Sequence, residues 1–266
     1  MDEKTHLVLS GGSTFGTSML GVLNELQLNK IKYISGVSVG ALIGSLLCIC
    51  KPNEIYDLIK HKTLFTDDDI DFSLFFVEYG FINSDFIINI VSDMFKYKIN
   101  NSNPTFKELH DVSNTELWIC ATNLTKNKVE YFNYKQHPDM HVNTAIRMSI
   151  SIPLVMNKTI YNECVYVDGA IKDEFPICPF NNIDKKCIIG IKIDIESNID
   201  INCSMIDYIS SIIINMLKRY DETNIGIDCV YMKFSDLPNM SNVSSEELQQ
   251  MYNHGIKIGK DWLKDS

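Results

Sequence analysis

The sequence is short of positive charge. Its 24 lysines and arginines face 34 acidic residues, giving a net charge of −10, and Arg147 and Arg219 are the only arginines. Such a chain lacks the basic footprint that nucleic acid requires, so no nucleic-acid partner is expected. A paired Cys-x-x-Cys motif is also missing. The eight cysteines (Cys48, Cys50, Cys120, Cys164, Cys178, Cys187, Cys203 and Cys229) lie in or beside apolar stretches. They read as reduced, mostly buried thiols, and no metal site is expected. The N-terminus, Met1 to His6, has neither the basic start nor the apolar run of a secretory signal. A cytoplasmic location is therefore expected, with at most peripheral contact at membranes. No repeat, low-complexity tract or linker divides the chain, so residues 1–266 are expected to form a single domain. An apolar content of 45% is ordinary for a globular protein and excludes a disordered tail or a collagen-like chain.

Long apolar runs are scarce. The one that imitates a membrane span, Tyr33 to Cys50, is uncharged for 18 residues with glycines at 36, 40 and 44. Ser35, Ser38 and Ser45 dilute it, and its first part has strand character. The expectation is a buried strand, a tight turn and a buried helix. The surrounding pattern agrees. His6 to Ser10 reads as a strand, Met19 to Leu26 recurs at helical spacing, Ile31 to Ser35 reads as a strand and Val39 to Cys50 as a helix. Strand–helix–strand–helix in 50 residues points to a mainly parallel sheet covered by helices. Further strands are expected at 116–124, 129–132, 164–167, 186–193 and 228–234. Helices are expected near 52–60, 86–94, 141–149, 205–217 and 244–264. The aromatic stretch Phe72 to Phe81, preceded by Asp67, Asp68, Asp69 and Asp71, reads as core before it reads as an acyl channel or lipid contact.

Three places carry chemistry. Gly36-Val37-Ser38-Val39-Gly40 is a GxSxG pentapeptide, for which composition predicts about 0.05 chance matches. It falls where a strand gives way to a helix, the setting of a nucleophile elbow, and the helix N-terminus favours negative charge beside Ser38. A plain glycine-rich turn is the competing reading. Ser10-Gly11-Gly12-Ser13 follows the first strand, and consecutive small residues let backbone N–H groups converge on an anion. Neither nucleotide fingerprint fits it, so an oxyanion is the better guest, with N-capping by Ser13 or Thr14 as the ordinary alternative. Asp168-Gly169 closes the strand Val165–Val167, where a turn is the competing reading. His254 would complete a Ser–Asp–His order, but an elbow at residue 38 leaves too few strands before it for that hydrolase fold.

Taken together, these stretches resemble the patatin-like phospholipases. The likeness runs in order through Leu7–Gly12, Gly36–Gly40, Thr105–Leu109, Ala121–Leu124, Ala145–Pro153, Tyr166–Ala170 and Phe175–Ile177. It implies a three-layer α/β/α fold with a mainly parallel central sheet. It implies a Ser–Asp dyad without histidine, in which Ser38 is the nucleophile and Asp168 the base. It assigns the oxyanion hole to the backbone amides of Gly11, Gly12 and Ser13, and it makes Gly36, Gly40 and Gly169 the motif glycines. The implied reaction is hydrolysis of glycerolipid acyl esters through an acyl-serine intermediate, of phospholipase A or lysophospholipase type, with no metal or other cofactor. A phospholipid or lysophospholipid substrate and transient membrane-surface contact follow from it. A catalytically silent lipid-binding protein on the same fold is the alternative. Two residues depart from the family pattern. Ser13 stands where a third glycine is usual, and Phe15 stands where Lys or Arg is common. Arg147 falls in a matched stretch and reads as structural, holding carbonyls or a carboxylate.

Overall fold

The computed structural model describes residues 3–61, 69–198, 201, 203–217, 226–236 and 243–265. Asp67 and Asp68 of the acidic run lie outside these residues. Along the chain, β1 (His6–Leu9) leads through α1 (Gly16–Glu25) to β2 (Tyr33–Val37), followed by α2 (Val39–Leu47) and α3 (Pro52–Ile59). Next come α4 (Phe72–Glu78), β3 (Gly80–Ile82), α5 (Asp85–Ile99), α6 (Phe106–Ser113), β4 (Glu116–Asn123), β5 (Lys128–Phe132) and α7 (Val142–Ile150). The short β6 (Leu154–Met156) and β7 (Thr159–Tyr161) precede β8 (Cys164–Asp168), β9 (Ile188–Asn198), α8 (Met205–Leu217), β10 (Asp228–Asp236) and α9 (Ser245–Asp265).

β1 shows why the sheet is central. All four of its residues are buried, with Leu7 and Leu9 in the main core and Val8 in a smaller cluster with Phe175 and Phe180. Burial on both faces is what a parallel sheet demands of its strands. The order is β10-β9-β1-β2-β4-β8-β7, and β5 pairs with β4 off this path. The five strands from β10 to β4 run parallel, while β5, β7 and β8 are antiparallel to their neighbours. The fold is thus the expected three-layer α/β/α arrangement around a mainly parallel sheet. On one face, Met19 and Leu23 of α1, Ile43 and Leu46 of α2, Phe95 of α5 and Ile146 of α7 share a core with the strands. On the other face Val8 packs with Phe175, Phe180, Ile188 and Cys229.

The segment that imitates a membrane span folds as β2, a turn at Ser38, and α2. Its uncharged character comes from burial inside the protein. Among the described residues, no helix is long and apolar enough to cross a membrane. The cysteines are free and five of the eight are buried, but Cys178 is exposed.

Candidate active site

Strand register brings the two key side chains together. β4 pairs with β2 up to Val37↔Cys120, then with β8 from Ala121↔Asp168. The residue after Val37 is Ser38, so the end of β2 and the end of β8 meet over adjacent positions of one strand. The Ser38 hydroxyl comes close enough to the Asp168 carboxylate to favour its charged form. Both are buried, at 8% and 4% exposure.

Ser38 is held in a strained conformation, with φ 54° and ψ −127°. It occupies the N-cap position of α2, yet its side chain makes no capping bond there, and the hydroxyl turns to Asp168 instead. Close backbone approach explains the flanking glycines. A Cβ on Gly40 would lie 2.5 Å from the carbonyl oxygens of Leu9 and Ser10, and one on Gly36 would lie 2.3 Å from that of Gly40. Ser149 of α7 secures the turn. Its Oγ accepts the Ser38 amide at 2.8 Å and donates to the Cys120 carbonyl at 2.6 Å.

Asp168 ends β8 with its amide bonded to the Ser151 carbonyl at 2.8 Å, and its Oδ1 accepts the Ala170 amide at 2.8 Å. Burial pushes its carboxyl up to about 6, against the opposing pull of the Ser38 hydroxyl and the Ala170 amide. Gly169 is buried behind it, packed on Cys120 and Val37. The following loop is tied down by the Tyr131 hydroxyl, which donates to Asp173.

The glycine loop arches over the same place. A Cβ on Gly11 would sit 3.5 Å from Ser38 Cβ and 3.6 Å from Ala170 Cβ. Gly12 has φ 154°, and a Cβ there would lie 2.5 Å from Ile193 Cδ1, so only glycine fits. Ser13 takes the left-handed φ of 51° that its missing glycine would supply. The three amides differ. Gly11 N–H donates to the Glu174 carbonyl at 3.3 Å, whereas among the described residues neither the Gly12 nor the Ser13 N–H has an acceptor. N-capping does not explain the loop, since neither the 3-10 turn Ser13–Phe15 nor α1 has a side-chain cap.

Phe15 stacks on Phe234 with centroids 3.8 Å apart and is buried, so the position of the usual cation is part of the core. The histidines are occupied elsewhere or exposed. His6 stacks on Tyr33 and His110 on Tyr134, His137 lies against Phe132, His141 bonds the Asn103 carbonyl, His254 meets the edge of Phe234, and His61 is exposed. None contributes to the shift of Asp168. Arg147 is structural. It donates to Ser84 Oγ at 2.8 Å and pairs with Asp85 at 2.6 Å. Sequence reasoning missed Ser149, Ser151 and Glu174, whose only signal was membership of, or closeness to, the matched stretches. Among the described residues no group of three or more His, Cys, Asp or Glu side chains could hold a metal ion.

Comparison with known proteins finds a family and relatives of similar fold. Residues 7–180 match the family model described as patatin-like phospholipase. A probable lipid hydrolase, 463L of Invertebrate iridescent virus 6, is 33% identical over 180 residues, which is 64% of this chain and 61% of that protein. The uncharacterized protein R571 of Acanthamoeba polyphaga mimivirus is 27% identical and covers 97% of this chain and 93% of its own length. Among solved structures, VipD from Legionella pneumophila superposes with a TM-score of 0.58 at 14% identity, covering 99% of this chain and 67% of VipD. That likeness is one of fold.

Proposed function

This chain belongs to the patatin-like phospholipase family, and on that premise we propose that it is a lipid acyl hydrolase of phospholipase A or lysophospholipase type. The observation that carries the reading is the meeting of the strained Ser38 and the buried Asp168 at the ends of β2 and β8. The likeness to a probable viral lipid hydrolase supports the substrate class. The whole of residues 1–266 is read as one hydrolase domain, working in the cytoplasm and touching membranes only at their surface.

In the proposed reaction, Ser38 Oγ attacks the acyl carbonyl carbon as its proton passes to Asp168. The carbonyl π electrons move to oxygen, and the amides of Gly12 and Ser13 stabilise the oxyanion, with Gly11 able to join if it leaves Glu174. The intermediate collapses, the ester C–O bond breaks, and Asp168 returns the proton to the leaving alkoxide. Water then attacks the acyl-serine as its proton passes to Asp168, the acyl C–O bond to Ser38 breaks, Asp168 returns the proton to Ser38 Oγ, and the fatty acid departs. A carboxylate with its pKa near 6 is a better base than one near the usual 3.9. No cofactor takes part in this scheme.

A fluorophosphonate probe should label Ser38 in the wild type and leave Ser38→Ala unlabelled. The wild type should release fatty acid from phosphatidylcholine or lysophosphatidylcholine and leave short peptides intact. Peptide cleavage without fatty-acid release would mean a protease, and lipid binding without any turnover would mean a silent binding protein.

A further inference from the structure

α4 buries none of its residues. Phe76 is 80% exposed, and Phe72 and Val77 are exposed with it. Tyr79 ends the helix with a left-handed φ of 59° and is exposed too. The helix is anchored on its other side, where Phe75 stacks on Phe81 and Lys158 donates to the Val77 carbonyl at 2.7 Å while lying over the Tyr79 ring at 3.8 Å. β6 then pairs with β3 and sets Leu154 opposite Gly80. Leu154 has φ 65° and is 45% exposed, so a branched apolar side chain is held outward against backbone strain. Ile160, two residues past Lys158, is exposed as well. A cluster of large apolar side chains left in water marks a contact surface.

This surface is wired to the active site. The segment that carries Leu154 also supplies Ser149, which holds the Ser38 amide, and Ser151, whose carbonyl holds the Asp168 amide. Charge selects the occupant. Asp69, Asp71 and Glu78 adjoin the apolar residues in the chain, Lys158 lies over the Tyr79 ring, and the whole chain carries −10. That sign repels anionic membranes and a second copy of the same face, and it complements the outward ammonium groups of choline or ethanolamine lipids.

We propose that α4 together with Leu154 and Ile160 is the face that docks on a zwitterionic phospholipid bilayer, seating its apolar side chains at the headgroup–acyl boundary. The proposal deepens the lipid-hydrolase reading and rests on it for the choice of a lipid occupant. Docking is then peripheral and apolar, as for an interfacial amphipathic helix.

The full chain is tested by co-sedimentation with phosphatidylcholine vesicles and with vesicles that also contain phosphatidylserine, alongside hydrolysis of a soluble short-chain ester. The expected result is binding to phosphatidylcholine that phosphatidylserine weakens. Phe72→Ser/Phe76→Ser should lose roughly tenfold or more of that binding while ester turnover stays at the wild-type level. Phe76→Trp provides a second readout, and the indole it introduces should emit at shorter wavelength once phosphatidylcholine vesicles are added. Unchanged binding by the double variant, no emission shift in Phe76→Trp, or stronger binding to phosphatidylserine vesicles overturns the proposal. So does self-association that the double variant abolishes in a protein that binds no vesicles. Failure of the catalytic reading looks different, since the soluble ester would then survive the wild type while vesicle binding still depended on Phe72 and Phe76.

Discussion

The role proposed for Asp168 sets a catalytic demand against stability at one residue. Its pKa of about 6 in the folded protein stands above the ordinary 3.8. The native state therefore holds this proton more tightly than the unfolded chain does. Stability falls as pH rises between those values, and above about pH 6 the full cost of about 3 kcal/mol is present. Asp168→Asn removes the charge and keeps an acceptor for the Ala170 amide. It should abolish turnover yet raise the unfolding midpoint by about 5 °C or more above pH 6, a gain that calorimetry should find absent below about pH 4. Ser13 makes the opposite case. Its φ of 51° suits glycine, so Ser13→Gly should leave stability within about 0.5 kcal/mol, relief of strain offsetting lost chain stiffness. Ser13→Val should cost about 1–2 kcal/mol in urea unfolding, because a β-branched residue resists that conformation. That Ser38 and Asp168 meet was legible because each sits at a strand end close to a motif glycine. The commitment of the Gly11 amide to Glu174 was not, since it depends on where a distant loop returns.

Among elements, α7 does more than its sequence reveals. Residues 141–149 read correctly as a helix, but nothing in the pattern marks Ser149 as the group that spans Ser38 and β4. Ser149→Ala should cost about 1–3 kcal/mol through the freed Ser38 amide and lower kcat more than it raises KM. Strands β3, β6 and β7 were not anticipated. Each has three residues, too few for an alternating pattern to register. α4 was read as core because aromatic residues are usually inside, and Phe81 does follow that rule. Phe72 and Phe76 do not, since the seven-residue helix turns them to solvent. The strand β2 lies two residues later than its apolar run suggested, because pairing with β4 continues up to the elbow.

At the scale of the whole molecule, the layer class follows from the order of strands and helices, but the sheet order does not. β9 and β10 return to the far side of β1, a crossover that leaves no periodic trace in sequence. The last helix was legible near 244–264, and Leu248, Tyr252, Gly255 and Gly259 are its buried residues. It closes the core over α1 by backbone contact, where a Cβ on Gly255 would lie 1.9 Å from the Ser18 carbonyl. Gly255→Val should therefore cost about 3 kcal/mol or more in urea unfolding, although it lies far along the chain from the matched residues 7–180. The proposed chemistry depends on Asp168 activating Ser38 without a histidine. The rate at which a fluorophosphonate modifies Ser38, followed against pH by mass spectrometry, reads that dependence directly. The rate should rise with a midpoint near pH 6 and disappear in Asp168→Asn. A pH profile that persists in Asp168→Asn, or an adduct on another residue, would contradict it.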